Sequence, residues 1–149
     1  NDYNTYEISN FSKKSFHSKH NLNYWNRDLY YGLGPSAVTF DGDTRYANKD
    51  SVIEYIKSIK TNKSPIKYSE KLSPEQELIE TIMLSLRKVE GLHLALFNEK
   101  FQFNLQNYIK TYFPSLLDDK VVIRNDRLYL TQKGFLLYDY IIDMIISKL

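Results

Sequence analysis

Apolar residues recur at helical spacing after residue 73, and the first run begins at a recognisable capping sequence. In Ser73-Pro74-Glu75-Gln76, Ser73 can accept a hydrogen bond from a free backbone N–H, Pro74 fits the first helical position and Gln76 completes a capping box. The apolar face of the predicted helix consists of Leu78, Ile79, Ile82, Met83 and Leu86. Gly91 is the predicted stop.

Two shorter helices and a hairpin follow in the pattern. The helices are predicted over about Leu94 to Phe101 and from near Asn104 towards Tyr112, with Pro114 as a break. Residues 121–130, V-V-I-R-N-D-R-L-Y-L, predict a hairpin with an Asn-Asp turn. Thr131 caps a final helix, whose predicted face includes Phe135, Leu136, Ile142 and Ile145. The order helix, helix, helix, hairpin, helix resembles a winged-helix module with one additional helix.

The first 60 residues alternate short β-prone runs with polar segments. A strand is predicted over Thr5 to Ile8, a loop over residues 9–19, and either one helical turn or an ordered loop over residues 20–26. Residues 30–40, Y-Y-G-L-G-P-S-A-V-T-F, predict a strand broken by two Gly and a Pro.

The next 30 residues contain a turn, a helix and a polar stretch. After the turn at Asp41-Gly42, the chain returns as a strand at residues 44–47. Asp50 or Ser51 then caps a helix that runs to about Ile59. Residues 61–72 are polar and contain a Pro, which indicates a linker between two structural units.

Composition limits the chemistry that this chain can carry. The 149 residues have a formal charge of +2, and neither half has the basic excess of a typical nucleic-acid binder. The absence of Cys excludes disulfides, thiolate metal sites and iron–sulfur ligation by this chain, and it fits a reducing, cytoplasmic compartment. No apolar run approaches the length of a membrane span. The start, Asn1-Asp2-Tyr3, has neither Met nor a signal-peptide pattern, and we interpret it as a cut inside a longer chain.

Three short segments together resemble one family. They are Y-E-I-S-N-F at residues 6–11, H-N-L-N-Y-W at residues 20–25 and Y-G-L-G-P-S-A at residues 31–37. The segments S-P-E-Q-E-L-I-E-T-I-M-L-S-L-R…E-G-L and R-L-Y-L-T-Q-K-G-F extend the similarity into the second half. The chain is identified on this basis as similar to the oxygen-independent coproporphyrinogen III oxidases, and H-N-x-x-Y-W is similar to their haem-chaperone branch.

The resemblance implies an α/β plus α fold. Residues 1–62 would be the C-terminal strands and helix of a partial (β/α) barrel of radical S-adenosylmethionine type, and residues 63–72 would be a linker. Residues 73–149 would be a small, mostly helical, winged-helix-like domain. In the full-length parent, the resemblance implies S-adenosylmethionine and a [4Fe-4S] cluster, whose C-x-x-x-C-x-x-C motif would lie upstream. This chain would hold neither cofactor and would be inactive alone.

The H-N-x-x-Y-W segment is the candidate haem or porphyrin site. The imidazole of His20 can ligate iron, the rings of Tyr24 and Trp25 can cover a macrocycle, and Asn21 completes the matched motif. The alternative is that all four residues only hold a loop and pack the barrel wall. His17 is a further possible ligand, and His93 is expected to be structural.

The glycine-rich segment is the second candidate. Glycines let a ligand approach the backbone, and the resemblance places S-adenosylmethionine or the substrate near Gly32, Gly34, Ser36 and Ala37. The alternative is a strand irregularity needed for barrel closure. Relatives often carry His or Ser soon after the Ala, whereas this chain continues V-T-F.

Other polar residues are interpreted as structural. Glu7 and Asn10 are expected to anchor a loop, and Lys13, Lys14 and Lys19 are expected to form a solvated face.

Two classes of function remain open from the sequence. The first is part of a radical S-adenosylmethionine protein of haem metabolism, either an oxidase or a haem chaperone that serves a haem-accepting protein. The second is a winged-helix module that binds nucleic acid or a protein partner. The would-be recognition helix, L-Q-N-Y-I-K-T-Y, has one Lys and no Arg, so no nucleic-acid partner is expected.

Overall fold

The computed structural model describes residues 2–149, which form a mixed fold of strands and helices. The strands are β1 (Tyr3–Glu7), β2 (Asn10–Lys13), β3 (Val38–Phe40), β4 (Thr44–Asn48), β5 (Ile66–Lys71), β6 (Leu92–His93), β7 (Val121–Arg124) and β8 (Arg127–Leu130). The helices are α1 (Lys19–Trp25), α2 (Val52–Lys60), α3 (Pro74–Ser85), α4 (Leu94–Phe101), α5 (Leu105–Tyr112), α6 (Gln132–Leu136) and α7 (Tyr138–Ile146). A single 3-10 turn at Pro114–Leu116 follows α5. No helix within this described range is both long and apolar enough to cross a membrane.

The chain divides into two compact units. The first unit combines the chain up to Asn26 with Leu78–Leu149, and the second unit is Arg27–Glu77. Helix α3 therefore begins in the second unit and continues into the first. The mixed strand-and-helix character expected from the sequence is confirmed.

The first unit begins with a hairpin that the sequence predicted only in part. Strand β1 is present, but residues 10–13, which were predicted to be loop, form β2 and pair antiparallel with β1. The prediction was wrong because β2 is polar and its pairing is made by backbone groups. The hairpin is tied to the chain after α3, since the Ile8 N–H donates to the Arg87 carbonyl at 2.8 Å.

The core of the first unit lies among α3, α4, α5, α7 and a three-stranded antiparallel sheet in the order β6-β8-β7. The most deeply buried side chains there are Ile82, Leu86, Leu94, Leu105, Ile109, Leu128, Ile141, Ile145 and Val121. The helical spacing in the sequence identified three of them, Ile82, Leu86 and Ile145.

The hairpin of β7 and β8 has the predicted Asn-Asp turn. Asn125 and Asp126 both have positive φ, at 52° and 58°, which is the conformation that a two-residue hairpin turn requires. The final helix differs from the prediction, because the chain breaks at Leu137 into α6 and α7. Leu136 was predicted to be in the core and is instead 85% exposed.

The second unit contains a three-stranded antiparallel sheet in the order β3-β4-β5, with α2 between β4 and β5 in the sequence. Only residues 38–40 of the predicted strand at 30–40 are in β3, since a turn around Gly34 interrupts the segment. Within residues 63–72, which were predicted to be a linker, Ile66–Lys71 forms β5 and pairs with β4. All six side chains of β5 are exposed, and only two of them, Ile66 and Tyr68, are apolar or aromatic.

Helix α3 begins at the predicted capping box. The Gln76 N–H donates to Ser73 Oγ at 3.1 Å, and the Ser73 N–H donates to Gln76 Oε1 at 2.7 Å. Two of the free N–H groups at the helix start are thereby satisfied reciprocally.

Loss of the Ser73 hydroxyl should weaken the fold measurably. We expect Ser73→Ala to lower the free energy of unfolding by about 1 kcal/mol, because one helix N–H loses its acceptor. Ser73→Gly is the matched control and should cost only a few tenths of a kcal/mol, since glycine suits the capping backbone conformation. Urea unfolding monitored by circular dichroism checks both, and equal losses would show that the hydroxyl contributes little.

Candidate functional site

Helix α1 carries the four residues of the H-N-x-x-Y-W segment. The side chain of Ser18 caps it, accepting a hydrogen bond from the Asn21 N–H at 3.3 Å. None of the seven residues of α1 is fully buried, and His20 is exposed. The imidazole of His20 meets the ring of Tyr24 edge to face, with 4.9 Å between centroids. The helical form of the segment therefore brings an accessible imidazole and a phenol together, one turn apart.

Trp25 at the end of α1 is held by residues from far along the chain. The guanidinium carbon of Arg87 lies 4.4 Å from the centroid of the Trp25 ring and 5.4 Å from that of Tyr138. The Tyr138 hydroxyl donates to the Met83 carbonyl at 2.7 Å. Burial raises the pKa of Tyr138 above its ordinary value, and the positive charge of Arg87 acts in the opposite direction. The ring of Trp25 is thus fixed by cation–π contact, while its Nε1 is buried without a hydrogen-bond partner in the described part of the chain.

The other histidines have structural neighbours. The ring of His17 stacks on Tyr6 at 4.7 Å with an interplanar angle of 8°. The Nδ1 of His93 lies 2.9 Å from an oxygen of Asp126, directly before α4.

Glu7 anchors the turn between β1 and β2. Its side chain is fully buried, and the Asn10 amide donates to Oε1. Its other oxygen, Oε2, is buried without a partner among residues 2–149. Lys13 lies over the ring of Tyr3, whereas Lys14 and Lys19 are exposed.

The glycine-rich segment forms a turn in the second unit that is held by polar side chains. The buried amide of Asn48 donates to the carbonyl oxygens of Gly32 and Gly34 at 3.1 and 3.0 Å. The Gly34 N–H donates to the Tyr55 hydroxyl at 3.2 Å, and the Gly32 N–H donates to Thr39 Oγ1 at 2.9 Å. The backbone of this turn is therefore set by β4, α2 and β3 together.

Gly32 and Gly34 differ in the structural requirement that each meets. A Cβ at Gly32 would lie 2.5 Å from the Val38 carbonyl oxygen, so Gly32 is needed for packing. Gly34 has φ of +104°, and a Cβ there would meet nothing within 4 Å, so its surroundings are open. Ser36 has φ of 60°, a backbone conformation that residues other than glycine rarely adopt. Ala37 closes the turn, since its carbonyl accepts from the Asn48 N–H at 2.9 Å.

Sequence reasoning found both segments but missed the residues that hold them. Arg87 and Tyr138 support Trp25, and Asn48 and Tyr55 support the glycine turn. Arg87 follows directly after the apolar face of the predicted helix, in Ser85-Leu86-Arg87. A basic residue at that place was the only feature of the sequence that could have indicated its role. Within residues 2–149 there is no group of three or more His, Cys, Asp or Glu side chains placed to hold a metal ion.

Comparison with known proteins gives a consistent result. Residues 72–137 match the family model described as HemN C-terminal domain. The chain is 35% identical over 136 residues to "Heme chaperone HemW" of Lactococcus lactis, which covers 91% of this chain and 35% of that protein. It is 36% identical over 149 residues to "Heme chaperone HemW" of Bacillus subtilis, which covers 97% of this chain and 38% of that protein.

A solved structure supports the same relationship at the level of the fold. The structure described as "Coproporphyrinogen III oxidase (HemN) from Escherichia coli is a Radical SAM enzyme" matches with a TM-score of 0.72 and 15% identity, over 99% of this chain and 38% of that one. The chain thus spans little more than a third of the length of the curated relatives above. The family model, the two relatives and the fold agree that this chain belongs to the HemN and HemW family and contains its C-terminal domain.

Proposed function

We propose that the complete gene product that carries this chain binds haem or a related porphyrin as cargo, for transfer to a haem-accepting protein. The relatives described as haem chaperones support this, since they match nearly the whole chain. The observation that carries the proposal is the exposed imidazole of His20 beside the ring of Tyr24 on α1. A neutral imidazole is a strong ligand for haem iron, and aromatic rings cover a porphyrin well.

Each residue of the segment has its own role in this proposal. His20 supplies an axial nitrogen to the haem iron, and Tyr24 limits the orientations of the imidazole through their edge-to-face contact. Trp25 offers an aromatic wall whose position is fixed by Arg87. Asn21 shapes the helix start, where its N–H donates to Ser18.

S-adenosylmethionine and a [4Fe-4S] cluster are proposed for the complete gene product, by analogy with the radical SAM enzyme of similar fold. This chain has no Cys, so its residues do not fit the cluster and the thiolates must come from elsewhere. The open turn at Gly34, Ser36 and Ala37 fits the vicinity of S-adenosylmethionine or the substrate, because the backbone there is approachable. We assign no catalytic residue to this chain.

The proposal also includes the division of the chain into domains. Residues 1–62 would be the end of a radical S-adenosylmethionine barrel, residues 63–72 the connection and residues 73–149 a winged-helix-like domain. The order α3, β6, α4, α5, β7, β8 supports the winged-helix description. Its ten acidic and nine basic residues favour contact with protein or cofactor over nucleic acid.

Substitution of His20 tests the function directly. In haemin titrations of the complete gene product, we expect His20→Ala to shift the Soret band and to weaken binding by about tenfold or more, the scale for a perturbed metal site. Trp25→Ala should weaken binding without changing the ligand type. His17→Ala is the matched control, since His17 is also exposed but stacks on Tyr6. Unchanged spectra and affinities in both His20→Ala and Trp25→Ala would refute the proposal.

A further inference from the structure

Arg87 has an unusual environment for a charged side chain. It is half-buried, and its guanidinium lies over both Trp25 and Tyr138. Its Nε is buried and has no hydrogen-bond partner among the residues that the structure describes. No carboxylate among residues 2–149 forms an ion pair with it. A cation is therefore held beside the candidate haem-binding helix by the rings of Trp25 and Tyr138 and by the Tyr138 hydroxyl.

This arrangement is unfavourable in free energy unless the positive charge interacts with a ligand. Removing a guanidinium from water costs free energy that a nearby carboxylate normally offsets. Contact with two aromatic faces recovers part of that cost. An uncharged side chain such as Met would fill the same space between two rings without the desolvation cost. The positive charge at Arg87 thus lacks an explanation from packing alone.

We propose that Arg87 receives a carboxylate of the bound macrocycle, the propionate class of substituent that haem and porphyrins carry. This inference rests on the proposed function and names the group that orients the ligand. Arg forms paired hydrogen bonds to carboxylates, and its rigid, stacked guanidinium needs little further ordering. The residue lies in the part of the chain that matches the HemN C-terminal domain, so that domain contributes to the site directly.

The contact of Arg87 with the C-terminal residue of α1 suits this role. Trp25, on which it stacks, lies five residues after His20, which corresponds to about 7.5 Å along the helix axis. The same five residues turn the helix by about 140°, so Arg87 lies to the side of the His20 face, and a propionate, which extends from the rim of the macrocycle, is the group that would reach it. Lys88, the neighbouring cation, donates to Asn26 Oδ1 and lines a different cavity with His93 and Arg127.

The test compares two ligands that differ only in their carboxylates. Haemin and haemin dimethyl ester are titrated into the complete gene product with Arg87→Gln, which keeps a planar polar group but removes the charge. We expect haemin to bind about tenfold more weakly to Arg87→Gln and the dimethyl ester to bind as it does to the unchanged protein. Arg124→Gln, an exposed position of the β7–β8 hairpin, is the matched control and should change neither affinity.

The outcomes separate this inference from the proposed function. If Arg87→Gln weakens both ligands equally, Arg87 only positions Trp25 and the inference is overturned, although a His20-dependent Soret band would preserve the proposed function. If haemin does not bind the unchanged protein, both fail. Should Arg87→Gln not fold, Arg87→Lys keeps the charge, and it must then retain the preference for haemin over the dimethyl ester.

Discussion

Replacement of Gly91 by alanine should destabilise the first unit by about 3 kcal/mol, the sum of a left-handed backbone penalty and an overpacking penalty. Gly91 has φ of +66° directly before β6. A Cβ there would lie 2.1 Å from the Leu128 carbonyl oxygen and 2.6 Å from the Tyr129 Cβ. Both contacts are with β8, the central strand of the sheet, so neither neighbour can move without disturbing the ladder.

Urea unfolding of Gly91→Ala, compared with Gly42→Ala, separates the overpacking penalty from the backbone penalty in the loss of stability. Gly42 also has positive φ, at 115°, but its added Cβ would meet only the Leu29 side chain, at 3.5 Å. We expect Gly42→Ala to show the backbone penalty alone. Equal losses in the two variants would mean that β8 adjusts freely and that the close approach at Gly91 does not limit stability.

Asn48→Asp should have an effect of similar size in the second unit. The substitution keeps the shape of the side chain but replaces an amide that donates to the carbonyls of Gly32 and Gly34 with an acceptor. Because Asn48 is only 7% exposed, a carboxylate there would face two carbonyl oxygens with little help from water. We expect a loss of about 3 kcal/mol at neutral pH.

The pH dependence of that loss distinguishes charge from shape. A carboxyl group facing two acceptors should have a raised pKa, because its protonated form can donate a hydrogen bond. The loss should therefore shrink as the pH falls through that raised pKa, relative to the unchanged chain at the same pH. Asn107→Asp, at an exposed position of α5, should change stability by no more than about 0.5 kcal/mol. A loss at position 48 that does not vary with pH would contradict this explanation.

Local chemistry made most helices predictable. The starts of α3 and α6 were predicted from the capping residues Ser73 and Thr131, and that of α2 from Asp50 or Ser51, of which Ser51 is the cap. The start of α5 was predicted near Asn104, whose side chain also accepts a backbone hydrogen bond. Strands β2 and β5 were missed because they are polar and are defined by backbone pairing with a neighbour. The break at Leu137 was missed because the apolar spacing continues across it.

The candidate site likewise contains residues that the sequence identified and residues that it did not. The α1 segment and the glycine turn were found from short contiguous patterns at residues 20–25 and 31–37. Arg87 and Asn48 were not assigned a role, because their partners are distant in the sequence or are backbone carbonyls that any residue could supply. Their importance follows from tertiary geometry, which a single sequence does not contain.

The discontinuity of the first unit has a consequence for how the chain folds. The hydrogen bonds from Ile8 to Arg87 and from Val89 to Tyr6 join segments that are separated by the entire second unit. The entropy of closing such a loop grows only slowly with its length, so insertions between Asn26 and Leu78 should be tolerated at equilibrium. Folding speed is more sensitive, because these contacts are distant in sequence and form only after the loop has closed. A nick in the chain between Asn26 and Leu78 would convert this closure into the association of two separate pieces, whose success would then depend on protein concentration.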